Sequence, residues 1–393
     1  MPHYKDPGVY VEETSFRMHS VESAATDHTL FLGLVPEESE ALPRAVTDWA
    51  EFRRHFGDHA QVRVAGQDTP NYLLYAAWCY FENGGKRLTV VPVGRTGDAE
   101  PTASDYAMAL ESSLHMNEAS IVHAPGASTW SGREAIEDVL VSHVDANPGR
   151  FLVVDPPAGQ DLAQVRSIRA RLDTPHAAFY YPWIVVADPL AAHGSEPGAA
   201  PLLLPPGGSV CGIYVRVGIE RGVHRAPANE PVRNALRFEV EVNKQAQELL
   251  NPEGINCLRS FADRGLRVFG ARTMSSDPEW KYVNVRRYLD FLQRSIQRGL
   301  QWTVSESNGE PLWARITEII QDFLLAQWHQ GTLLGTKPEA GFFVRCDRST
   351  MTQNDIDNGL LVCLVGVAML EPAEFIVFRV SSWTADAKQP GPP

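Results

Sequence analysis

Between about residues 118 and 190, short apolar runs alternate with amphipathic stretches, and that order leaves few folds open. Residues 119–123 read as a strand, 133–144 as a helix, 151–155 as a strand, 162–172 as a helix and 177–187 as a strand. The strand segments are apolar almost throughout, the pattern of a sheet covered on both faces. Strand, crossover helix and next strand make parallel neighbours, so the alternation predicts an α/β layer with a partly parallel sheet.

Before this region, 28–35 reads as a buried strand, 47–56 as a short capped helix, 71–83 as an apolar helix closed by Gly84-Gly85, and 87–93 as a strand. After it come a loop rich in proline and glycine (189–209), a helix over 211–221, a loop over 226–231, a strand at 237–242, a short helix over 243–250, and two strands, 255–261 and 266–271. The last third is a different unit. It has a helix over 284–300, a strand at 301–305, a helix opening at Glu310-Pro311 and running to Gln330, and strands at 341–346, 359–370 and 374–380. The N-terminus reads as an extended arm: Pro7-Gly8 is a turn signal, and Val9-Tyr10-Val11-Glu12-Glu13 alternates with period two. Proline before a terminal strand marks it as an edge or added strand.

With 393 residues, 44% of them apolar, the chain has length for two or three domains and a substantial core. The formal net charge is −13, most of it before residue 270, with no clustered basic field. Phosphate binding needs such a field, so nucleic acid is not an expected partner. Five cysteines (Cys79, Cys211, Cys257, Cys346, Cys363), widely spaced and without a CxxC pair, predict neither a zinc site nor a disulfide framework. They read as buried reduced thiols. The opening residues carry no apolar run of the signal-peptide kind, and no segment has the ~18 consecutive apolar residues of a membrane span. The expectation is a soluble protein outside the ordinary secretory route, without direct membrane insertion.

An alternating α/β region invites a test for nucleotide or hydrolase chemistry. A phosphate cradle needs clustered glycines between strand and helix, because only glycine lets backbone N–H groups approach the anion. After the strand ending at His123 the chain reads Ala124-Pro125-Gly126-Ala127-Ser128-Thr129-Trp130, with one glycine. No GxSxG elbow and no HExxH occurs. Asp355-Ile356-Asp357-Asn358-Gly359 has the look of a calcium loop, but its twelfth position would be Gly366, which cannot ligate. Glu306 and Glu310, a conceivable acid/base pair, flank Ser307-Asn308-Gly309 and fit a loop joining strand to helix. No catalytic, cofactor-binding or metal-binding set emerges.

The helix over 284–300 places Val285, Leu289, Leu292, Ile296 and Leu300 on one face and Arg287, Arg294 and Arg298 opposite. Such a stripe is either a solvated face or an electrostatic track for another subunit. In the second long helix, Ile316, Ile319, Ile320 and Phe323 point inward, with Glu318 and Asp322 to one side. Those two acids fit either a partner's basic patch or ordinary surface.

Several segments together resemble contractile tail sheath proteins of phage tails, extracellular contractile injection systems and R-type particles. Pro7-Gly8-Val9-Tyr10-Val11-Glu12-Glu13 is similar to the family's opening. More specific are Trp280-Lys281-Tyr282-Val283-Asn284-Val285-Arg286-Arg287, Glu310-Pro311-Leu312-Trp313-Ala314-Arg315, Phe343-Val344-Arg345-Cys346-Asp347, the run from Met351 to Gly359, and Pro372-Ala373-Glu374-Phe375-Ile376. Tyr181-Pro182-Trp183, Arg225 to Asn229 and Val268 to Thr273 also resemble family segments. Residues 95–118 and 189–209 match no family motif.

The resemblance implies a mixed α+β subunit. Its parts are an N-terminal β arm (1–22), an outer α/β domain (23–254), a C-terminal α+β assembly domain with a linking strand (255–380), and a flexible tail (381–393). It implies stacked hexameric rings around an inner tube protein, with baseplate and terminal cap proteins as further partners, assembled in the bacterial cytoplasm. The arm and the strand Phe375-Ile376-Val377-Phe378-Arg379-Val380 would pair with neighbouring subunits, completing their sheets. Arg287, Arg294, Arg298, Glu318 and Asp322 are the candidate tube-facing residues. An α/β enzyme with an unrecognised site and a non-contractile filament or scaffold protein are the competing readings.

Overall fold

The chain's structure, a computed structural model, describes residues 19–39, 42–97, 99–190, 201–304 and 306–372. Its first strand is β1, His28–Val35, with every residue buried. There follow β2 (Arg44–Val46), α1 (Trp49–Phe56), the hairpin β3 (Gln61–Val64) and β4 (Gln67–Pro70), α2 (Tyr72–Glu82) and β5 (Arg87–Arg95). The alternating region contributes α3 (Ala103–Ser112), β6 (Ile121–His123), α4 (Arg133–Ala146), β7 (Phe151–Val154), α5 (Leu162–Ala170) and β8 (Ala177–Tyr181). Next come β9 (Ile184–Val186), β10 (Leu202–Leu204), α6 (Gly207–Arg221), β11 (Glu230–Pro231), β12 (Ala235–Phe238), α7 (Lys244–Leu250), β13 (Ile255–Phe261) and β14 (Gly265–Phe269). The last part holds α8 (Val283–Gly299), α9 (Glu310–His329), α10 (Pro338–Gly341), β15 (Phe342–Arg345), α11 (Gln353–Asp357) and β16 (Leu364–Val367).

One nine-stranded sheet runs in the order β11-β14-β13-β8-β7-β6-β1-β5-β2. Its six inner strands, β13 to β5, are all parallel to one another, and antiparallel strands close both sides. Alternate residues of each strand feed opposite cores. Phe31 and Val35 join one cluster with Phe52 of α1, Leu74 of α2 and Ile213 of α6. Leu30, Leu32 and Leu34 join the other with Tyr106 of α3, Ile136 of α4, Val165 of α5 and Leu250 of α7. This three-layer arrangement bears out the fold class, a mixed α+β chain with a largely parallel sheet.

Helices α2 and α6 cross so closely that glycine is required at the contact. A Cβ on Gly212 would stand 2.3 Å from the carbonyl oxygen of Tyr80, and one on Gly208 would stand 2.6 Å from that of Ala76. The four-residue spacing puts both glycines on one face of α6.

The structure corrects several expectations. The single strand expected over 177–187 is two, because Pro182 has no N–H to donate and the chain leaves the sheet there. β9 then pairs with β10 and β12 in a separate three-stranded sheet. The proline-rich loop holds β10 and the first turn of α6. Residues 301–303 form one 3-10 turn in place of a strand, with Trp302 stacked on His19 at 4.3 Å and covered by Arg315. The boundary expected at residue 255 falls inside the nine-stranded sheet, since β13 pairs directly with β8. The arm residues Pro7 to Glu13, the strand Phe375 to Val380 and the tail 381–393 lie outside the described residues.

Candidate assembly interface

The C-terminal unit is built on α8 and α9. Tyr288 and Leu292 of α8 meet Ile316, Ile320, Phe323 and Leu324 of α9 in a third apolar cluster. Phe342 and Val344 of β15, with Val365 and Val367 of β16, pack against it from one side. These strands form a two-stranded antiparallel sheet, and no other strand joins it among the described residues. Two strands alone are marginal in water, and their outer backbone groups are open to an added strand. Beside this sheet runs a groove of about 520 Å³, with Leu289, Leu292, Ile296, Leu324, Val365 and Val367 on its apolar walls and Asp290, Gln293, Arg294 and Gln297 among its polar lining. The sequence signal was the alternation Phe342/Val344 and Val365/Val367, but nothing in it located the groove.

The opposite side of α8 departs from the expected stripe. Arg287 is only 7% exposed, and its guanidinium lies 4.7 Å from the centre of the Tyr214 ring in α6. Burial pulls its pKa below the usual arginine value. The Tyr214 hydroxyl in turn meets that of Tyr180 at 2.7 Å. Arg294 is half-buried and donates to the backbone oxygens of Asn117 (3.1 Å) and Glu118 (2.8 Å). Its stem rests on Gly149, where a Cβ would come within 2.6 Å. Arg298 alone is mostly exposed, 3.8 Å from Glu118. Arg287 and Arg294 therefore bind the chain's own sheet unit, because α8 is covered on two sides and not one. Glu318 and Asp322 lie exposed on α9.

Neighbouring groups tighten the same seam. Arg286 Nη2 bonds Asp290 Oδ1 at 2.5 Å, and the guanidinium lies over Trp280. Burial raises the pKa of Asp290 above the usual carboxylate value despite that partner. The side-chain nitrogen of Asn284 donates to the backbone oxygens of His224 and Leu370. A cleft of about 630 Å³ remains between the two units, lined by Glu118, Asn147, Arg150, Arg294, Gln297 and Arg298 among others.

A buried titratable pair sits in the sheet unit, at the carboxyl ends of β6 and β7. His123 Nε2 lies 3.5 Å from Asp155 Oδ2, with both side chains almost fully enclosed. His123 Nδ1 meets the Val153 carbonyl at 3.0 Å, so that nitrogen carries the proton and donates it. Burial pushes the imidazole down to about 4 and the carboxyl well above its ordinary value. Gly207 closes over them, since a Cβ there would come within 2.2 Å of the imidazole. The adjoining cavity is about 10 Å³, too small for any substrate. Among the described residues no group of three or more His, Cys, Asp or Glu side chains could hold a metal ion.

This pair has a pH consequence with a definite sign. Between about pH 4 and 6.5 an unfolded histidine binds a proton that folded His123 refuses, so its contribution to stability falls on acidification. Folded Asp155 keeps a proton that the unfolded carboxyl loses, so its contribution falls as pH rises. The two slopes oppose each other in the wild type. Asp155→Asn removes one of them. Unfolding free energies of that variant from urea titrations should fall more steeply than wild type on acidification, by up to about 1.4 kcal/mol per pH unit. Parallel pH profiles for the two proteins would refute this.

The sequence matches the phage tail sheath protein central domain over residues 99–274 and the phage tail sheath C-terminal domain over residues 275–382. The chain belongs to the phage tail sheath family. Two solved structures support the assignment along the whole length of this sheath chain. A chain of the anti-feeding prophage helical sheath in its contracted state is 31% identical with a TM-score of 0.78, covering 96% of this chain and 99% of that one. A chain of the six-fold symmetrised anti-feeding prophage baseplate is 31% identical with a TM-score of 0.77, covering 97% and 100%. A prophage major tail sheath protein of Pseudomonas aeruginosa (strain UCBPP-PA14) is 24% identical over 175 residues. That match spans 43% of this chain and 43% of the curated relative. The protein is thus a structural subunit of a contractile sheath. Among the described residues no helix is long and apolar enough to cross a membrane.

Proposed function

We propose that this sheath subunit stacks as six-fold rings around an inner tube and is linked to its neighbours by strands from both chain ends. The observation that carries this is the two-stranded β15–β16 sheet, which no other strand joins among the described residues, beside a largely apolar groove. Added strands would satisfy the edge N–H and C=O groups, while alternate apolar side chains fill the groove. Val9 and Val11 of the arm, and Phe375 and Val377 or Ile376 and Phe378 of the last strand, have the required period. A contact that leaves its own protomer without closing builds a helical filament.

In this reading the particle assembles in the bacterial cytoplasm, meets baseplate and cap proteins at its ends, and performs no catalysis. Work on contraction comes from repacking subunit contacts, each worth a few kcal/mol, many at once. Arg298, Glu318 and Asp322 are the exposed charges left to face the tube. Purified protein viewed by negative-stain microscopy should show rings or tubes, and a compact monomer would refute the reading. With the tube protein co-expressed, Glu318→Lys/Asp322→Lys should keep those tubes and lose the co-purified inner tube. Unchanged co-purification would remove these acids from the tube contact.

A further inference from the structure

Arg345 pairs directly with Leu364 across the β15–β16 ladder. The next residues outward, Cys346 and Cys363, are therefore opposite one another at the open end of the sheet. The N–H of Ala368 donates to the Gly341 carbonyl at 2.8 Å. That bond fixes the alternation along the ladder: pairs 341/368, 343/366 and 345/364 exchange main-chain bonds, and 342/367, 344/365 and 346/363 do not. Opposed residues of the second kind have Cα atoms about 4.5 Å apart, within the range a disulfide spans. Both side chains belong to one apolar cluster, and each shifts the titration of the other. Cys346 is buried against Trp313 and Met351, while Cys363 is half-buried and lines the apolar groove.

We propose that Cys346 and Cys363 are an oxidation site, a dithiol that closes to a cross-strand disulfide by exchange with a small organic disulfide such as oxidised glutathione. The proposal concerns the unassembled subunit, in which the groove beside the sheet is open. Cys363, reached through the groove, loses its proton and attacks one sulfur of the oxidant. The oxidant's S–S bond breaks, and its first half leaves as a thiol. Cys346 then loses its proton and attacks the Cys363 sulfur, releasing the second half as a thiol. Two electrons and two protons pass from the cysteine pair to the oxidant, which ends as two thiols.

Burial and the adjacent thiol push Cys363 up to about 12, and burial raises Cys346 as well. The thiolate is scarce at neutral pH, so closure is slow and its rate rises about tenfold per pH unit. In a reducing compartment the pair stays open, and in oxidising surroundings it closes. The bond ties off residues 346–363, the segment that carries α11, and clips the end of the ladder. Cys79, Cys211 and Cys257 are buried in the sheet unit and closed to the oxidant.

The test uses the folded full-length chain, equilibrated with excess oxidised glutathione at about pH 8.5, then acid-quenched, alkylated and mapped by mass spectrometry. The expected result is loss of two of the five thiols, a peptide linking Cys346 to Cys363, and full recovery with dithiothreitol. Cys346→Ser should instead trap glutathione on Cys363. The proposal is overturned if wild-type Cys346 and Cys363 each carry a separate glutathione. It is equally overturned if both remain alkylatable at equilibrium while the denatured chain reacts at every cysteine.

Discussion

A chain lacking residues 1–13 should fold and remain monomeric. In the proposed strand exchange the arm lies against a neighbouring subunit, and the sheet of its own protomer is built from β1 onward. Removing the arm should therefore leave far-ultraviolet circular dichroism and the urea midpoint close to those of the full chain. Assembly should respond very differently. An added strand of this length supplies about five main-chain bonds at roughly 1 kcal/mol each, besides two buried valines. Losing about 5 kcal/mol weakens each link more than a thousandfold. Sedimentation velocity and negative-stain microscopy should show a single slow species and no tubes. Tubes of normal dimensions from the truncated chain would exclude the arm as the link.

Gly212→Ala should destabilise the sheet unit although alanine is the better helix former. Intrinsic propensity favours the change by about 1 kcal/mol. The new methyl, however, would stand 2.3 Å from the Tyr80 carbonyl oxygen, a backbone atom of α2 that cannot swing aside. Forcing α2 and α6 apart loosens the core around Cys211 and Ile213, and overpacking of this kind costs about 1–3 kcal/mol. Gly212→Val should be worse, with loss of soluble protein. Gly218→Ala on the same helix provides the opposite sign, because its nearest neighbour would be a side-chain methyl of Val223 at 3.5 Å. Equilibrium urea unfolding of both variants decides the matter: equal shifts would mean that the close crossing is not the cause.

Much of the sheet was legible because parallel strands buried on both faces are apolar from end to end. Leu30 to Val35, Phe151 to Val154 and Ala177 to Tyr181 all read this way. Elements at the margin were harder. The β3–β4 hairpin is short and exposed, turning at Ala65-Gly66 with Ala65 at φ 49°, a position that seldom takes alanine. Helix α3 carries a capping box, Thr102 with Asp105, but little apolar periodicity marks the rest of it. Arg287 and Arg294 depart from the expected stripe for a geometric reason. Periodicity tells which residues share a face, not how many faces are covered, and α8 is covered on two sides. That no other described strand joins β15–β16 could not be seen at all, because an alternating strand reads the same with or without a partner on its far side.

The seam along α8 bears on how such a subunit moves. Arg287 stacked on Tyr214 and Arg294 gripping two backbone carbonyls are short-range, directional contacts, lost within a few tenths of an ångström of sliding. In the proposed rings, a torque on α9 would therefore pass through this seam to the outer layers, and a change in ring diameter would fall on the contacts between protomers.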